Sequence, residues 1–367
     1  MTLRAESREP RAEDEARGAA SREPGFGETD LRPLVIGTRG SRLAVWQAEH
    51  VASRLRAAFP TIALRLERIR TMGDKILDVP LAQVGGKALF VKEIEEALLA
   101  GQVDLAVHSM KDVPTDLPRG LTIAAIPRRE DAADVLISRR GARLADLPRG
   151  ARVGTSSLRR QAQLLHIRPD LAIVSLRGNL DTRIRKLSDE GLDAIVLAAA
   201  GVARLGLAHV VTEVLSPEVF LPAIGQGALG IEVREPGGEN REPRAENREP
   251  RATSREPRVE SRAARVAEMV KALDDRETHV AVRAERAMLK RLGGGCQVPI
   301  AAWATVEADA ILLRGLIAAT DGVTVIRGEA RGTVGEPETV GRDLAEDLLQ
   351  RGGQAVLETI LGGRLGA

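Results

Sequence analysis

Leu34-Val35-Ile36-Gly37-Thr38-Arg39-Gly40-Ser41 and Arg152-Val153-Gly154-Thr155-Ser156-Ser157-Leu158-Arg159-Arg160 carry one plan twice. In each, an apolar stretch with strand character ends at Gly-Thr, hydroxyl and arginine residues follow, and a helical pattern begins. After the first, Ala48, Val51, Leu55 and Phe59 keep helical spacing, and Ser41 stands where an N-cap belongs. A strand that turns through a short polar loop into a helix is the unit of an α/β fold, and the amides at the helix start favour an anion. Two such units predict two similar α/β domains, each aiming a helix N-terminus at an anionic ligand.

Working outward, Ile62, Leu64 and Leu66 alternate as a strand, and residues 89 to 99 place Val91, Ile94 and Leu98 on one helical face. Val103, Leu105 and Val107 form a strand that runs into His108-Ser109-Met110-Lys111-Asp112-Val113-Pro114. The second unit continues with a strand at 171 to 174, then Leu176-Arg177-Gly178-Asn179, a helix carrying Arg183 and Arg185, and a strand at 194 to 197. This alternation predicts mostly parallel strands. The Gly-rich run Ala223-Ile224-Gly225-Gln226-Gly227-Ala228 marks a crossing between domains. Helices at 264 to 273 and 280 to 292 lead to Gly293-Gly294-Gly295-Cys296-Gln297-Val298-Pro299-Ile300. Beyond it, 301 to 306, 311 to 318 and 323 to 328 predict an antiparallel meander with Asp321-Gly322 at a hairpin turn, and a last helix lies within about 338 to 351.

A chain of 367 residues is too long for one core and predicts two or three domains. Lys plus Arg number 54 against 52 Asp plus Glu, so nothing global draws the chain to nucleic acid or membrane, and any basic site is a local cluster. With no tyrosine, two tryptophans and four phenylalanines, the stacking platforms that bind single-stranded nucleic acid are also disfavoured. No apolar run reaches a membrane span, and the N-terminus has the character of neither a signal nor a transit peptide, so a cytoplasmic protein is expected. Residues 1 to about 32 and about 235 to 262 repeat Arg-Glu-Pro-Arg units, as in Arg8-Glu9-Pro10-Arg11 and Arg241-Glu242-Pro243-Arg244, and have the composition of disordered low-complexity segments.

Cys296 is the only cysteine, which fits a reducing compartment and leaves no internal disulfide. Its glycine-rich loop is compatible with a small packed hydrophobe and with a nucleophile or covalent attachment point. Arg39, Arg159, Arg160, Arg177, Arg183 and Arg204 fall at strand ends or in helical turns, where open α/β sheets bind ligands, so a ligand with several negative groups is expected. Asp112, at a strand end before Val-Pro, serves as acid, base or cation stabiliser, or simply caps the turn. His108 beside it is a titrating group or, as a lone histidine near a strand end more often is, a structural one. Lys87, in Val84-Gly85-Gly86-Lys87-Ala88-Leu89-Phe90, sits in a weak phosphate-type loop without Walker spacing. No metal-ligand spacing is present. A non-catalytic two-domain anion binder accounts for the arginines but leaves the cysteine loop unexplained; phosphate transfer lacks any nucleotide motif.

Gly37-Thr38-Arg39-Gly40-Ser41, Val84 to Glu93, Val107 to Pro114, Gly154 to Gln161, Leu176-Arg177-Gly178-Asn179, Gly225-Gln226-Gly227 and Gly294 to Pro299 occur in this order. In them the chain resembles the porphobilinogen deaminase (hydroxymethylbilane synthase) family, over about 34 to 234 and 264 to 367. The resemblance implies an α/β fold with two similar periplasmic-binding-protein-like domains around a cleft plus a small α+β C-terminal domain. Domain 1 would comprise 33–130 and 226–274, domain 2 131–225 and domain 3 275–367, with 1–32 as an extension. It implies a transferase of tetrapyrrole biosynthesis that condenses four porphobilinogen molecules, with loss of ammonia, onto a dipyrromethane cofactor held through Cys296, and then releases hydroxymethylbilane by hydrolysis. By the same match Asp112 is catalytic. Lys87, Ser109, Lys111, Asp112, Thr155, Ser156, Ser157, Arg159, Arg160, Arg177 and Gly178 bind the cofactor, and Arg39, Ser41, Arg177, Arg183, Arg204 and Gln226 bind substrate. Porphobilinogen is the only partner implied, with no metal, nucleic acid or membrane, and a monomer is expected.

Overall fold

The computed structural model describes residues 32–75, 91–236, 261–294 and 298–362. The N-terminal repeats, most of the internal repeat segment, Lys87 and Cys296 lie outside the described residues.

Strands β1 (Leu34–Arg39), β2 (Leu64–Ile69), β3 (Leu105–Ser109), β4 (Leu121–Ala125) and β10 (Leu229–Arg234) form one sheet in the order β2-β1-β3-β10-β4. Apolar residues alternate across it. Ile36, Val107 and Ile231 meet Ala48, Val51 and Leu55 of helix α1 (Arg42–Ala58) and Val266 of a later helix on one face. Val35 and Ala106 meet Ile94 and Leu98 of α2 (Lys92–Leu99) on the other. Burial on both faces removes most of this apolar area from water, which is the main force holding each layer to the sheet.

The second sheet repeats this arrangement with β5 (Asp134–Ser138), β6 (Arg152–Gly154), β7 (Ala172–Val174), β8 (Ala194–Ala198) and β9 (Glu213–Leu215) in the order β7-β6-β8-β5-β9. Helices α3 (Leu158–Ile167), α4 (Leu180–Asp189) and α5 (Ala199–Arg204) follow β6, β7 and β8. The inner pairings of β1 with β2 and β3, and of β6 with β7 and β8, are parallel. The expectation of mostly parallel pairing is only half met, because β10 and β5 run antiparallel to both of their neighbours. These two are the strands by which the chain changes sheets: it passes from β4 to β5 through 126–133 and returns from β9 to β10 through 216–228.

A third sheet, β11 (Ile300–Glu307), β12 (Ala310–Ala318) and β13 (Val325–Thr333), is the expected antiparallel meander. Helices α6 (Arg262–Lys271) and α7 (Arg276–Arg291) precede it, and α7 packs with α8 (Pro337–Leu348) against it through Met288, Leu313, Ile317 and Leu344. The helix expected within 338 to 351 is α8, extended by a π turn over Leu349–Gly353; at Gly352 φ is 107°, and a further helix outside the expected range, α9 (Gln354–Gly362), follows this break. The Asp321-Gly322 turn forms as expected, with Val323 N donating to Asp321 Oδ1 at 3.0 Å.

Candidate functional site

While Arg183 lies within α4, Arg204 ends α5, Gln226 lies in the crossover before β10 and Lys87 is outside the described residues, most of the expected ligand-binding residues follow the carboxyl ends of β1, β3, β6 and β7. Two of the serines there are engaged in holding helices: Ser41 Oγ accepts from Ala44 N at 3.3 Å at the head of α1, and Ser157 Oγ from Arg160 N at 3.4 Å at the head of α3. Thr155 Oγ1 accepts from Ser157 N at 3.2 Å, and Ser156 Oγ donates to Leu176 O at 2.8 Å, tying this turn to the one carrying Arg177. Arg39 closes β1, half-buried, beside Thr38, whose hydroxyl donates to Ala44 O at 3.0 Å.

Arg159 and Arg160 point inward rather than to solvent. Arg159 Nη1 lies 2.8 Å from Asp134 Oδ2, and Arg160 Nε and Nη2 lie 3.1 and 2.7 Å from Oδ1. Gln226 Nε2 donates to the same Oδ1 at 2.9 Å and to Ala132 O at 2.7 Å. All four side chains are buried. Burial opposes ionisation of Asp134, but the two guanidiniums outweigh it and hold the carboxyl well below the usual carboxylate range. Gln226, expected to touch substrate, thus sits inside this seam, and its Oε1 is buried without a partner among the described residues. Nothing in the composition singled out Asp134. The available signal was an aspartate at the head of the apolar run Val135-Leu136-Ile137, since a buried carboxylate requires a cationic partner.

Asp112 stands at the end of a short 3₁₀ turn, Met110–Asp112, that follows β3 directly. Ser109 Oγ accepts from Gln47 Nε2 at 2.9 Å, and Met110 N donates to Ala228 O at 3.0 Å, so the turn is held from α1 and from the crossover. Gly225, at φ 70°, lies against its back; a Cβ there would stand 2.9 Å from Met110 Cβ and 3.2 Å from Lys111 N. Gly225→Ala is therefore expected to cost about 1–3 kcal/mol through a strained backbone and a displaced turn, read as a lower unfolding midpoint in urea. An unchanged midpoint would contradict this packing.

Around Asp112 positive charge accumulates. Burial lowers the pKa of Lys111; Asp112 opposes this, while Arg160 and Arg183 add to it. Burial, then Arg160 and Arg177, lower Arg183 to about 10 against the opposing pull of Asp112. Arg183 Nε donates to Gly178 O at 2.9 Å. Arg177 Nη1 is buried with no hydrogen-bond partner among the described residues. Lys111, Arg160, Arg177 and Arg183 thus share one region in which, among the described residues, Asp112 and Asp134 are the counter-charges acting on Lys111 and Asp134 is already held by Arg159, Arg160 and Gln226. A buried guanidinium nitrogen without an acceptor calls for an anion.

Arg204 lies at the end of α5, its Nη2 2.7 Å from Gly227 O and its guanidinium 5.9 Å above the Trp46 ring, which stacks on His50. A cavity of about 650 Å³ opens there, lined by Gly40, Arg42, Trp46, Glu49, Arg68 and Arg204 among others. Arg42 of α1 pairs with Asp181 of α4 at 3.0 Å, an exposed contact between the two sheet units. Trp46 had not stood out from the helical pattern of α1. Among the described residues no group of His, Cys, Asp and Glu could hold a metal ion, and no helix is long and apolar enough to cross a membrane.

Two α/β sheet units joined by crossover strands, with cations gathered at their strand ends, and a small third unit with an antiparallel sheet make up an α/β fold with two similar sheet domains. The profile described as "Porphobilinogen deaminase, dipyromethane cofactor binding domain" matches residues 34–242, and "Porphobilinogen deaminase, C-terminal domain" matches 279–350. Porphobilinogen deaminase of Pelobacter propionicus is 54 % identical over 329 residues, 90 % of this chain and 97 % of that one. That of Syntrophotalea carbinolica is 54 % identical over 327 residues, 89 % and 96 % respectively. A solved periplasmic binding protein of Salmonella typhimurium with high arginine specificity aligns over 56 % of this chain and 86 % of its own at 17 % identity and a TM-score of 0.34. The chain belongs to the porphobilinogen deaminase family.

Proposed function

We propose that this protein is a hydroxymethylbilane synthase that binds dipyrromethane covalently through Cys296 and uses Asp112 as its catalytic carboxylate. The observation that carries this reading is the buried Arg177 Nη1, without a hydrogen-bond partner among the described residues, within the cation cluster of Lys111, Arg160 and Arg183. A linear pyrrole chain bears acetate and propionate groups on every unit, and such a cluster fits several carboxylates at once. When bound, dipyrromethane supplies the free pyrrole end to which four porphobilinogen units are added head to tail, each with loss of ammonia, before hydrolysis releases the tetrapyrrole.

The protein's own residues do the rest. Arg177 and Lys111 grip carboxylates of the cofactor, with Ser109, Thr155, Ser156, Ser157 and Gly178 shaping the turns that present them and Lys87 adding a cation. Arg160, its Nε and Nη2 on Asp134 and its Nη1 on Val196 O, supplies positive field, and Arg183 takes carboxylates of substrate. Arg159 acts through Asp134, keeping Arg160 oriented. Arg39 and Arg204 take carboxylates of incoming porphobilinogen; Ser41 and Gln226 hold the α1 head and the crossover against which it rests. The carboxylate of Asp112 stabilises positive charge developing on the pyrrole nitrogens and takes up and returns protons at its Oδ atoms. The first α/β unit would comprise 33–130 and 226–274, the second 131–225 and the cysteine-bearing unit 275–367. The protein would work as a cytoplasmic monomer.

The test is the intact mass of freshly purified protein beside Cys296→Ser. Wild type should carry an excess equal to two porphobilinogens less two ammonias, and the variant none. A wild-type protein that stays unmodified after incubation with porphobilinogen would sink the reading and favour a non-catalytic anion binder.

A further inference from the structure

Behind the Asp112 turn, on the face of the first sheet covered by α2, three ionisable side chains are buried together. Glu95 of α2, His108 of β3 and Glu232 of β10 are 5 %, 5 % and 1 % exposed. His108 Nε2 lies 3.0 Å from Glu232 Oε2. The other oxygen of Glu232, Oε1, and Oε1 of Glu95 are both buried without a hydrogen-bond partner among the described residues. One orphaned carboxylate oxygen in a protein interior is costly, and two ionised carboxylates in one apolar site also repel each other. A proton retained on one and shared with the other removes both penalties.

We propose that below neutral pH Glu95 keeps its proton and donates it to Glu232, forming with His108 a buried chain that fixes the end of β3 and thereby positions Asp112. The importance of that position rests on the catalytic reading of Asp112. The mechanical link is continuous. Gly230 of β10 stands opposite His108 and Leu229 opposite Ser109, and the ladder passes without a break to the Met110 N to Ala228 O bond at 3.0 Å beneath the turn. Gly230 also accepts the Met110 side chain against its bare Cα. The His108–Glu232 hydrogen bond, which clamps β10 to β3 at this point, holds the 3₁₀ turn that begins two residues further on.

The charges acting on Glu95 agree with this. Burial and the Glu232 carboxylate push its carboxyl up, the His108 imidazole pulls it down and Glu96 of its own helix pushes it up, leaving it at about 7 against an ordinary 4.5. Of the strands packed against α2, β4 carries no ionisable residue, β1 carries Arg39, and β10 carries Arg234 as well as Glu232, its Nη1 donating to Leu98 O of α2 at 2.5 Å. With the folded value above the unfolded one, the folded protein binds more protons between these limits, so stability falls as pH rises from about 4.5 to 7.

Glu95→Gln tests this, because its amide is permanently neutral and still donates an N–H to Glu232. Its melting temperature should match wild type at about pH 5 and exceed it by several degrees at about pH 8, where wild type carries the ionised pair. Its kcat should stay within about twofold at pH 6 with KM unchanged, and the alkaline fall of kcat should move to higher pH. A melting difference that is constant from pH 5 to 8, or a kcat loss above about tenfold at every pH, would overturn the proposal. Glu232→Gln supplies an independent readout: without the neighbouring carboxylate, the pH at which stability drops should move down, and an unmoved transition would likewise overturn it. The melting readouts need no turnover. A wild type inert toward porphobilinogen would therefore sink the enzymatic reading and leave the shared proton to be judged on stability alone.

Discussion

Asp112→Ala should lower kcat for porphobilinogen by about a hundred- to ten-thousand-fold, the range that one positioned acid–base group contributes, while KM changes only a few-fold. Asp112 is the carboxylate of the cation cluster that is still available for chemistry, since both oxygens of Asp134 are taken by Arg159, Arg160 and Gln226. The side chains that would hold carboxylates, Arg177 and Arg183 above all, do not depend on Asp112 for their placement: Arg183 is anchored to Gly178 O. Binding and cofactor attachment should therefore survive, and the variant should show the same mass excess on Cys296 as wild type. Its charge, however, acts on both neighbours. Asp112 opposes the burial that lowers Lys111 and Arg183, so removing it pushes both further toward the neutral form. Asp112→Asn keeps the shape but loses charge and proton, and should resemble the alanine variant; Asp112→Glu should recover part of the rate. Near-normal steady-state turnover by the alanine variant would remove Asp112 from the mechanism.

How much of this was legible beforehand depended on whether the signal was local. Ser41 as a cap, the Gly-Thr turns and the meander with its Asp321-Gly322 hairpin follow from patterns a few residues long, and each formed as the sequence indicates. The crossover strands β5 and β10 did not announce themselves. Val135-Leu136-Ile137 is a continuous apolar run that periodicity cannot assign to strand or helix, and Leu229–Arg234 follows a glycine-rich turn with little alternation. The same limit hid the role of the arginine pair. Arg159 and Arg160 in a first helical turn look like ligand grips, but the carboxylate they hold lies 25 and 26 residues away, on a strand the pattern did not reveal. His108 was legible as structural; that its partner would be Glu232, 124 positions on, was not. Long-range pairing of buried charge is a property of the fold, and a single sequence displays only its two halves.

The second large effect follows from that hidden pairing. Asp134→Ala should destabilise the protein by about 3–5 kcal/mol, because it leaves two buried guanidiniums without their counter-charge. Arg159 already has its pKa lowered by burial, with Asp134 as the principal opposing influence, so the cost falls first on that residue. The loss extends beyond the pair. Gln226 Nε2 would keep Ala132 O but lose Asp134 Oδ1, slackening the crossover that also carries Gly225 and Gly227. Set against a total stability of roughly 5–15 kcal/mol, the change should appear as a melting temperature lower by about 10 °C, or as insoluble protein. A variant that melts within a degree or two of wild type would mean that the two arginines find other partners and that the seam is not built on Asp134. Replacing Asp134, Arg159 and Arg160 together by apolar residues of similar volume separates stability from function. With all three charges gone, no buried ion is left uncompensated, and much of the stability should return. Turnover should not, since Arg160 contributes to the positive field around Lys111 and Arg183 in which a polycarboxylate substrate would be held. Recovery of both fold and activity in the triple variant would show instead that the pair serves the architecture alone.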